Sequence, residues 1–420
     1  MKILILSQWC DPEPTFKGLQ FARALSTRGH DVEVLTGFPN YPGGKLYPGY
    51  RMRPFLRETL DGVAILRVAL YPSHDRSGFR RALNYISFGL SAAVAAFVVR
   101  KPDVVYVFHP PATTALAALT LRLARGVPFV YDVQDLWPET LVATGMVGSP
   151  LVLALLGAFL RFVYARAAAV VVLSDGFRVA LMARGVPDRK IVVIPNWTIE
   201  TPRPGDGDKG QDRVGQDGEF EVLYAGNLGK AQALETVLAA ARILGERGSR
   251  ARFVFLGSGV EMDSLRRESS ALPNVTFRDR VEPSRVGTAL ARADALLVHL
   301  KDDPLFAITI PSKTQAYLRA GRPILMGVRG DAARMVEDAG AGLSFPPEDA
   351  QGLADQVIAL MAMSPEARAR MGAAGEAYYA RHLSLDVGAR RFIEVFERVC
   401  APARRSSASV ATDLDAEPRG

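Results

Sequence analysis

Cysteine is almost missing from this chain of 420 residues: Cys10 and Cys400 stand near opposite ends. Two such thiols make no disulfide or zinc framework, and a reducing compartment is expected. A Gly-x-Gly-x-x-Gly fingerprint is missing too, which argues against a nicotinamide dinucleotide site. Nor is there the core of a secretory leader. Met1-Lys2 runs straight into Ile3-Leu4-Ile5-Leu6, too short and too strand-like for one, so the expected location is cytoplasmic. The Asp-x-Asp pairs, Asp206-Gly-Asp208 and Asp413-Leu-Asp415, fall in segments read as disordered and are set aside as metal sites. No short-period repeat is visible.

What is present points to an α/β protein. Hydrophobic residues make up 49% and charged ones 23%, enough core for two or three globular domains. The 37 glycines and 27 prolines are spread among short apolar runs, as tight loops between strands and helices require. A net charge of +7 invites nucleic acid, anionic lipid or phosphorylated ligands without choosing among them.

The chain opens strand–loop–helix–strand over Lys2 to Ser7, about Gly18 to Arg28, and Asp31 to Thr36. This begins a doubly wound sheet, whose ligands gather beyond the carboxyl ends of the strands. The first loop, residues 8–18, is longer than a turn needs, and Lys17-Gly18 at its end could admit a phosphate or a sugar. Phe38 to Tyr50, with Tyr41 in it, is aromatic and glycine-rich; a loop of stacked rings and an acceptor-binding lid both fit. Val63 to Leu70 reads as a further strand.

Ala82 to Val99 is the most apolar helix, bracketed by Arg76, Arg80, Arg81, Arg100 and Lys101. At about 1.5 Å per residue it barely reaches the ~30 Å of a hydrocarbon layer. Asn84, Ser87 and Ser91 give it one polar stripe, so a core helix and an interfacial helix facing anionic lipid both stay open. Strand Asp103 to Phe108 ends in His109-Pro110-Pro111, and strand Val127 to Val133 ends in Gln134-Asp135-Leu136-Trp137-Pro138-Glu139. Adjacent strand tips carrying His109 and Asp135 predict a shared cleft, although Asp135 could serve as an N-cap and Trp137 as core.

After a polar stretch from Pro202 to Gly218, read as a linker, the pattern restarts. Strand Phe220 to Ala225 leads into Gly226-Asn227-Leu228-Gly229-Lys230, and strand Arg252 to Leu256 into Gly257-Ser258-Gly259, each before a helix. Glycines there let backbone N–H groups face a pyrophosphate. The rest is organised around Thr309 to Pro323. Ser312 and Gln315 have capping-box spacing, which predicts a helix from Lys313 stopped by Gly321 and Pro323. A lysine in the first turn opposes the helix dipole by up to about 1 kcal/mol unless an anion shares the site. Lys230 and Lys313 both fall in βα loops at one sheet edge, which favours a phosphate cradle over solvated lysines.

Four motifs in order carry a resemblance: Gly37-Phe-Pro-Asn-Tyr-Pro-x-Gly-Lys45, Asp135-Leu-Trp-Pro-Glu139, Tyr224-Ala-Gly-Asn-Leu-Gly-Lys230, and Pro311-Ser-Lys313 before an Ala-Gly-x-Pro turn. Over about residues 1–400 the chain resembles glycosyltransferase family 4, in its bacterial O-antigen and colanic-acid branch, and is similar to N-acetyl-L-fucosamine transferases. The resemblance implies the GT-B fold, α/β, with two Rossmann-like doubly wound domains facing across a cleft. It also implies sugar transfer from a nucleotide donor with retention, without a metal or other cofactor. By the same resemblance Lys230 and Lys313 hold the donor diphosphate, near Gly226, Asn227, Gly257, Pro311 and Ser312. Arg280 and Val281 would meet the nucleobase, and His109 would bond the transferred sugar. Lys17 and Gly18 would approach the phosphates from the first domain, while Asp135, Trp137, Glu139 and Tyr41 would shape the acceptor side. Relatives place a spaced glutamate pair on the ribose where this chain has Ile308 and Ala316. Gln315 is the neighbouring side chain able to bond a ribose hydroxyl, unless it caps Ser312.

The expected boundaries are 1–200 for an N-terminal acceptor-side domain, 201–219 for a flexible linker and 220–382 for a C-terminal nucleotide-sugar-binding domain. A helix over 383–400 would fasten the domains, and 401–420 would be a disordered tail. The function implied is a retaining glycosyltransferase using a UDP-linked donor and a lipid-linked or glycan acceptor in cell-surface polysaccharide biosynthesis. Expected partners are the nucleotide-sugar donor, a lipid-linked saccharide acceptor and the anionic inner-membrane surface, where the protein would sit peripherally; nucleic acid is not among them. A GT-B-fold nucleotide-sugar epimerase and a non-catalytic scaffold of a polysaccharide assembly complex are the alternatives.

Overall fold

A computed structural model describes residues 1–73, 78–143, 146–199 and 218–401. Its first sheet holds β1 (Lys2–Leu6), β2 (Asp31–Gly37), β3 (Phe55–Leu60), β4 (Val63–Val68), β5 (Val104–His109), β6 (Phe129–Val133), β7 (Ala169–Val172) and β8 (Ile191–Val193). The order is β3-β4-β2-β1-β5-β6-β7-β8, parallel except for the β3–β4 pair. Buried on both faces, the central strands are continuous apolar runs, which is why they were legible in the sequence. The exposed, charge-bearing edge strand β3 was not.

The second sheet holds β9 (Phe220–Asn227), β10 (Ala251–Ser258), β11 (Val275–Arg278), β12 (Ala295–His299), β13 (Ile324–Gly327) and β14 (Gly342–Ser344). These run parallel in the order β11-β10-β9-β12-β13-β14. Around the first sheet lie α1 (Leu19–Ser26), α2 (Gly78–Ala95), α3 (Ala115–Arg125), α4 (Glu139–Ala143), α5 (Pro150–Arg166) and α6 (Asp175–Ala183). The second carries α7 (Glu235–Glu246), α8 (Met262–Glu268), α9 (Pro283–Arg292), α10 (Pro304–Ala307), α11 (Ser312–Ala320), α12 (Asp331–Asp338), α13 (Ala350–Ala362) and α14 (Pro365–Tyr378). The last helix is α15 (Leu385–Cys400).

α15 crosses back to the first domain. Its Phe392 ring lies 5.2 Å from Phe21 of α1 and 5.3 Å from Tyr106 of β5, and Trp197, just after β8, joins the same cluster. Each such ring removes about 150–250 Å² from water, roughly 4–6 kcal/mol before entropy is subtracted. The opposite face of this sheet is covered by α2, α3 and α5. α2 begins four residues before the expected start at Ala82 and ends at Ala95, short of the expected Val99.

The carboxyl edges of the two sheets approach each other. Ser174 Oγ, at the start of α6, donates to Ile308 O at 2.6 Å, and Gly176 N–H donates to Asp331 Oδ2 at 2.8 Å. Of the expected linker 201–219 and tail 401–420, all but residues 218, 219 and 401 lie outside the described residues, as do Arg76 and both Asp-x-Asp pairs.

Candidate active site

In the second domain a glycine-lined edge forms where β9 and β10 end. Gly226 and Gly257 are register partners with φ of +142° and +151°, and a Cβ on Gly257 would fall 1.9 Å from Gly226 O. No side chain fits there, so backbone alone lines this part of the edge. Lys313 reaches the same spot, 3.4 Å from where a Gly226 Cβ would stand, with its ammonium 3.6 Å from the Tyr224 ring centroid. That nitrogen is buried and makes no hydrogen bond. Burial pushes its pKa down from the ordinary lysine value to about 7. Lys230 stands exposed on the turn that follows Gly226 and Asn227, both exposed as well. The two lysines therefore share one sheet edge, as expected.

α11 starts at Ser312 rather than Lys313, and no side chain caps it. Gln315 explains the difference. It is buried, and its amide nitrogen, assigned from its neighbours, donates to the carbonyls of Pro311 and Ser312 at 3.0 Å each. Gln315 therefore closes no capping box and presents nothing to a ribose. Thr314 N–H already donates to Pro311 O at 2.8 Å, which leaves the Ser312 and Lys313 amides of this first turn to face an anion beside Lys313. Ala316 is half-buried, and Ile308 gives its carbonyl to Ser174. Arg280 is exposed beyond β11, and Val281 turns toward a cavity of about 470 Å³ also lined by Leu256 and Ala289.

The turn carrying Lys230 has an anchor that no motif announced. His299, at the tip of β12, has Nδ1 2.7 Å from Gln232 O and Nε2 3.1 Å from the Glu348 N–H. Accepting at Nε2 places the proton on Nδ1, which donates to the turn. The ring is neutral, burial holding its pKa down.

On the first domain a chain of rings leads inward. Tyr41 and Trp9 are 5.2 Å apart, Trp9 and Tyr85 6.4 Å, Tyr85 and Trp137 6.3 Å, and Trp137 and His109 5.2 Å. Glu13 pins the outer end: its carboxylate accepts from the N–H groups of Asn40 and Tyr41 at 2.8 Å each and of Cys10 at 3.2 Å. Desolvation raises its pKa to about 7. Asp135 is half-buried near Tyr85, and burial raises its pKa too. Trp9 and Glu13 lie in the long loop 8–18, where only Lys17 and Gly18 were singled out as site residues, and Tyr85 lies in a helix read for its apolar length and polar stripe, so none of the three was picked from the sequence.

Four expectations need correction. Lys17 does not approach the cleft: its Nζ pairs with Asp132 Oδ2 at 2.5 Å, both side chains fully buried, under the rings of Trp197 and Phe392. Gly18 admits no phosphate, because Asp11 Oδ2 already accepts from Leu19 N–H at 2.7 Å and a Gly18 Cβ would lie 2.4 Å from it. Glu139 faces Arg184 at 2.6 Å, and Arg184 also donates to Trp137 O at 3.1 Å, so this pair steadies the Trp137 segment. His109 stands at the β5 tip but is not open to the gap. Its ring is fully buried against Trp137 and Tyr131, neither nitrogen has a partner, and burial pushes its pKa down to about 3. Two unpaired polar atoms of a neutral imidazole cost about 1–3 kcal/mol each, which is unusual for mere core.

Comparison with known proteins agrees with this layout. Residues 19–197 match the model of the glycosyl transferase 4-like domain, and residues 219–363 match that of glycosyl transferases group 1. The probable glycosyltransferase WbjE of Pseudomonas aeruginosa is 29% identical over 304 residues, 67% of this chain and 75% of that protein. The putative colanic acid biosynthesis glycosyl transferase WcaI of Escherichia coli is 27% identical over 337 residues, 76% of this chain and 82% of its own length. Among solved structures, sucrose-phosphate synthase from Thermosynechococcus elongatus superposes with a TM-score of 0.71 at 17% identity, over 95% of this chain and 98% of that one. Anabaena HepE in complex with UDP and glucose gives 0.66 at 15% identity, over 94% and 99%. With two such domain matches in order and the facing parallel sheets, the chain is a glycosyltransferase of the GT-B fold, a glycosyl transferase 4-like domain followed by a group 1 domain.

Proposed function

We propose that the enzyme moves a sugar from a UDP-linked donor to a lipid-linked saccharide, with retention, during cell-surface polysaccharide biosynthesis. The likeness to WcaI supports the pathway class, and the fold shared with UDP-bound HepE is compatible with the nucleotide. The sequence motifs resemble those of N-acetyl-L-fucosamine transferases, which fits a hexosyl or N-acetylaminosugar donor. The observation that carries the donor assignment is Lys313, a buried, unpaired ammonium beside an uncapped helix and a glycine edge. As the bond from the anomeric carbon to the phosphate oxygen breaks, negative charge collects on UDP, where Lys313, Lys230 and the α11 amides act. The acceptor oxygen attacks from the same face, and its proton passes to the departing phosphate oxygen. Neither a protein nucleophile nor a metal is required for that step.

The aromatic chain from Tyr41 to Trp137 would hold acceptor rings, with Asp135 bonding an acceptor hydroxyl. His109 would bond the transferred sugar once Trp137 shifts to admit it. The acceptor would be met at the anionic inner face of the membrane, with the enzyme peripheral and cytoplasmic. Mass spectrometry of products from a panel of UDP- and GDP-sugars with a lipid-diphosphate saccharide tests the reaction, and calorimetry with UDP tests the site. Lys313→Ala should weaken UDP binding at least about thirtyfold, as for a lost charge-assisted contact. Unchanged binding in that variant would overturn the assignment.

A further inference from the structure

Among the described residues three non-glycines hold a positive φ: Asp61, Ala233 and Glu348. Asp61 shares the two-residue hairpin turn between β3 and β4 with Gly62, where such a backbone is ordinary. The other two stand far apart in the chain, yet one imidazole bonds backbone at both places. His299 Nδ1 lies 2.7 Å from Gln232 O, the carbonyl of the peptide bond to Ala233, and its Nε2 accepts from the Glu348 N–H at 3.1 Å. A left-handed backbone on a residue with a side chain persists only where its surroundings impose it. The ring that imposes it has one seat. It is buried and stacks on Phe345, with centroids 5.9 Å apart and planes 12° apart. A Cβ on its register partner Gly327 would fall 2.4 Å from His299 Cδ2. Both nitrogens therefore point in fixed directions.

What hangs on this ring is the glycine-lined edge of the second domain. Gln232 holds the Lys230 turn twice: its side-chain oxygen accepts from Gly229 N–H at 3.1 Å, and its backbone oxygen accepts from His299. Lys301 N–H, two residues beyond His299, donates to Ala231 O at 3.0 Å. On the far side Glu348 Oε2 accepts from Asp302 N–H at 2.7 Å, and Asp302 pairs with Arg329 at 3.1 Å. A phenylalanine would fill much the same volume, so packing alone does not require histidine here; two oriented nitrogens do. We propose that His299 is a positioning residue of the donor site, its Nδ1–H fixing the Gln232 carbonyl and so the direction in which Lys230 meets a nucleoside diphosphate. It touches no reacting atom and acts through the turn. A lysine on a flexible stem loses rotamer freedom when it grips an anion, and a rooted backbone keeps that loss from growing.

The inference rests on the donor reading above, and a double-mutant cycle separates the two. Calorimetry with UDP compares wild type, Lys230→Ala, His299→Phe and the double variant. Phenylalanine keeps the stack on Phe345 and loses both nitrogens. Each single variant should bind UDP about tenfold more weakly, and the double variant should match Lys230→Ala within about twofold. His299→Asn, whose amide nitrogen can stand where Nδ1 stood, should return UDP affinity to within about threefold of wild type. Losses that multiply to about a hundredfold in the double variant overturn the proposal alone, as does His299→Phe binding UDP like wild type. A wild type that binds no UDP, or Lys230→Ala that binds it unchanged, overturns the donor reading as well. Nitrogen NMR of the isotope-labelled full chain needs no substitution and should find His299 protonated at Nδ1. A proton at Nε2 instead overturns the proposal, because the ring would then offer the Gln232 oxygen no hydrogen.

Discussion

The Lys313 ammonium sits 3.6 Å from the centre of the Tyr224 ring, and Tyr224 in turn donates its hydroxyl to Asn227 O at 2.7 Å. The ring thus supports the lysine from one side while leaving its hydrogen-bonding capacity unused. A cation–π contact of this kind is worth about 2 kcal/mol when desolvated, less than the charge-assisted bonds a diphosphate would offer.

A proton linkage follows. Without ligand, burial holds Lys313 near pKa 7, well below the ordinary lysine value, so the empty site is partly neutral at physiological pH. A diphosphate favours the ammonium and raises that pKa, so UDP binding takes up protons above pH ~7 and affinity falls as pH rises. Calorimetry in two buffers of different ionisation enthalpy reads the uptake directly. Lys313→Arg, which keeps its charge, should flatten the pH dependence. Proton-neutral UDP binding in the wild type at pH 8 would contradict the buried geometry.

Glu13 predicts a selective loss on the proposed acceptor side. Its carboxylate accepts from three backbone N–H groups, two of them at Asn40 and Tyr41, so one side chain fixes the start of the aromatic loop. Glu13→Gln leaves an amide donor facing a backbone donor, at a cost of about 1–3 kcal/mol. Acceptor KM should rise roughly tenfold with UDP affinity unchanged. The sign of the pH effect is set by the raised pKa of about 7 against the ordinary carboxylate value. The folded state holds the proton longer than the unfolded one, so stability falls as pH rises between those values. Glu13→Gln should remove that slope in denaturation midpoints measured across the window.

The donor edge was legible because glycines after strands and a lysine at a helix start are local signals, and Lys230, Lys313, Gly226 and Gly257 stand where those signals put them. Lys17 misled for a physical reason. A lysine at a strand–helix loop reads as solvent- or ligand-facing, and its partner Asp132 lies 115 positions away with nothing in the sequence to join them. The ring chain was half legible: Tyr41 and Trp137 sat in motifs, whereas Trp9 and Tyr85 acquire meaning only when β1 and α2 are brought together.

Lys17 supplies a stability test. Desolvation depresses its pKa and Asp132 partly restores it, the mark of a pair held by burial. Lys17→Met strands the Asp132 carboxylate, which keeps only Tyr106 OH and Gln134 Nε2, both at 2.6 Å. The loss should be about 3–5 kcal/mol, visible as a lower denaturation midpoint, and Lys17→Met/Asp132→Leu should recover much of it. UDP affinity of the folded variant should match wild type. A weakened UDP complex would return Lys17 to the donor site.

Domain closure can be tested at Gly176. A Cβ there would lie 2.4 Å from Ile308 Cβ and 2.7 Å from Asp331 Oδ2, so Gly176→Ala wedges the two domains apart. The Asp331 carboxylate also sits at the N-terminus of α6, where an anion is worth about 0.3–2 kcal/mol. Asp331→Asn keeps the shape and removes the charge, lowering the closed population several-fold on that scale. Both variants should lose turnover, and small-angle scattering should report a larger radius of gyration for Gly176→Ala. UDP affinity should change little in either, because the proposed nucleotide site lies on the second domain. Full turnover in Gly176→Ala would mean that the contact of Ser174 and Gly176 with Ile308 and Asp331 does not accompany transfer.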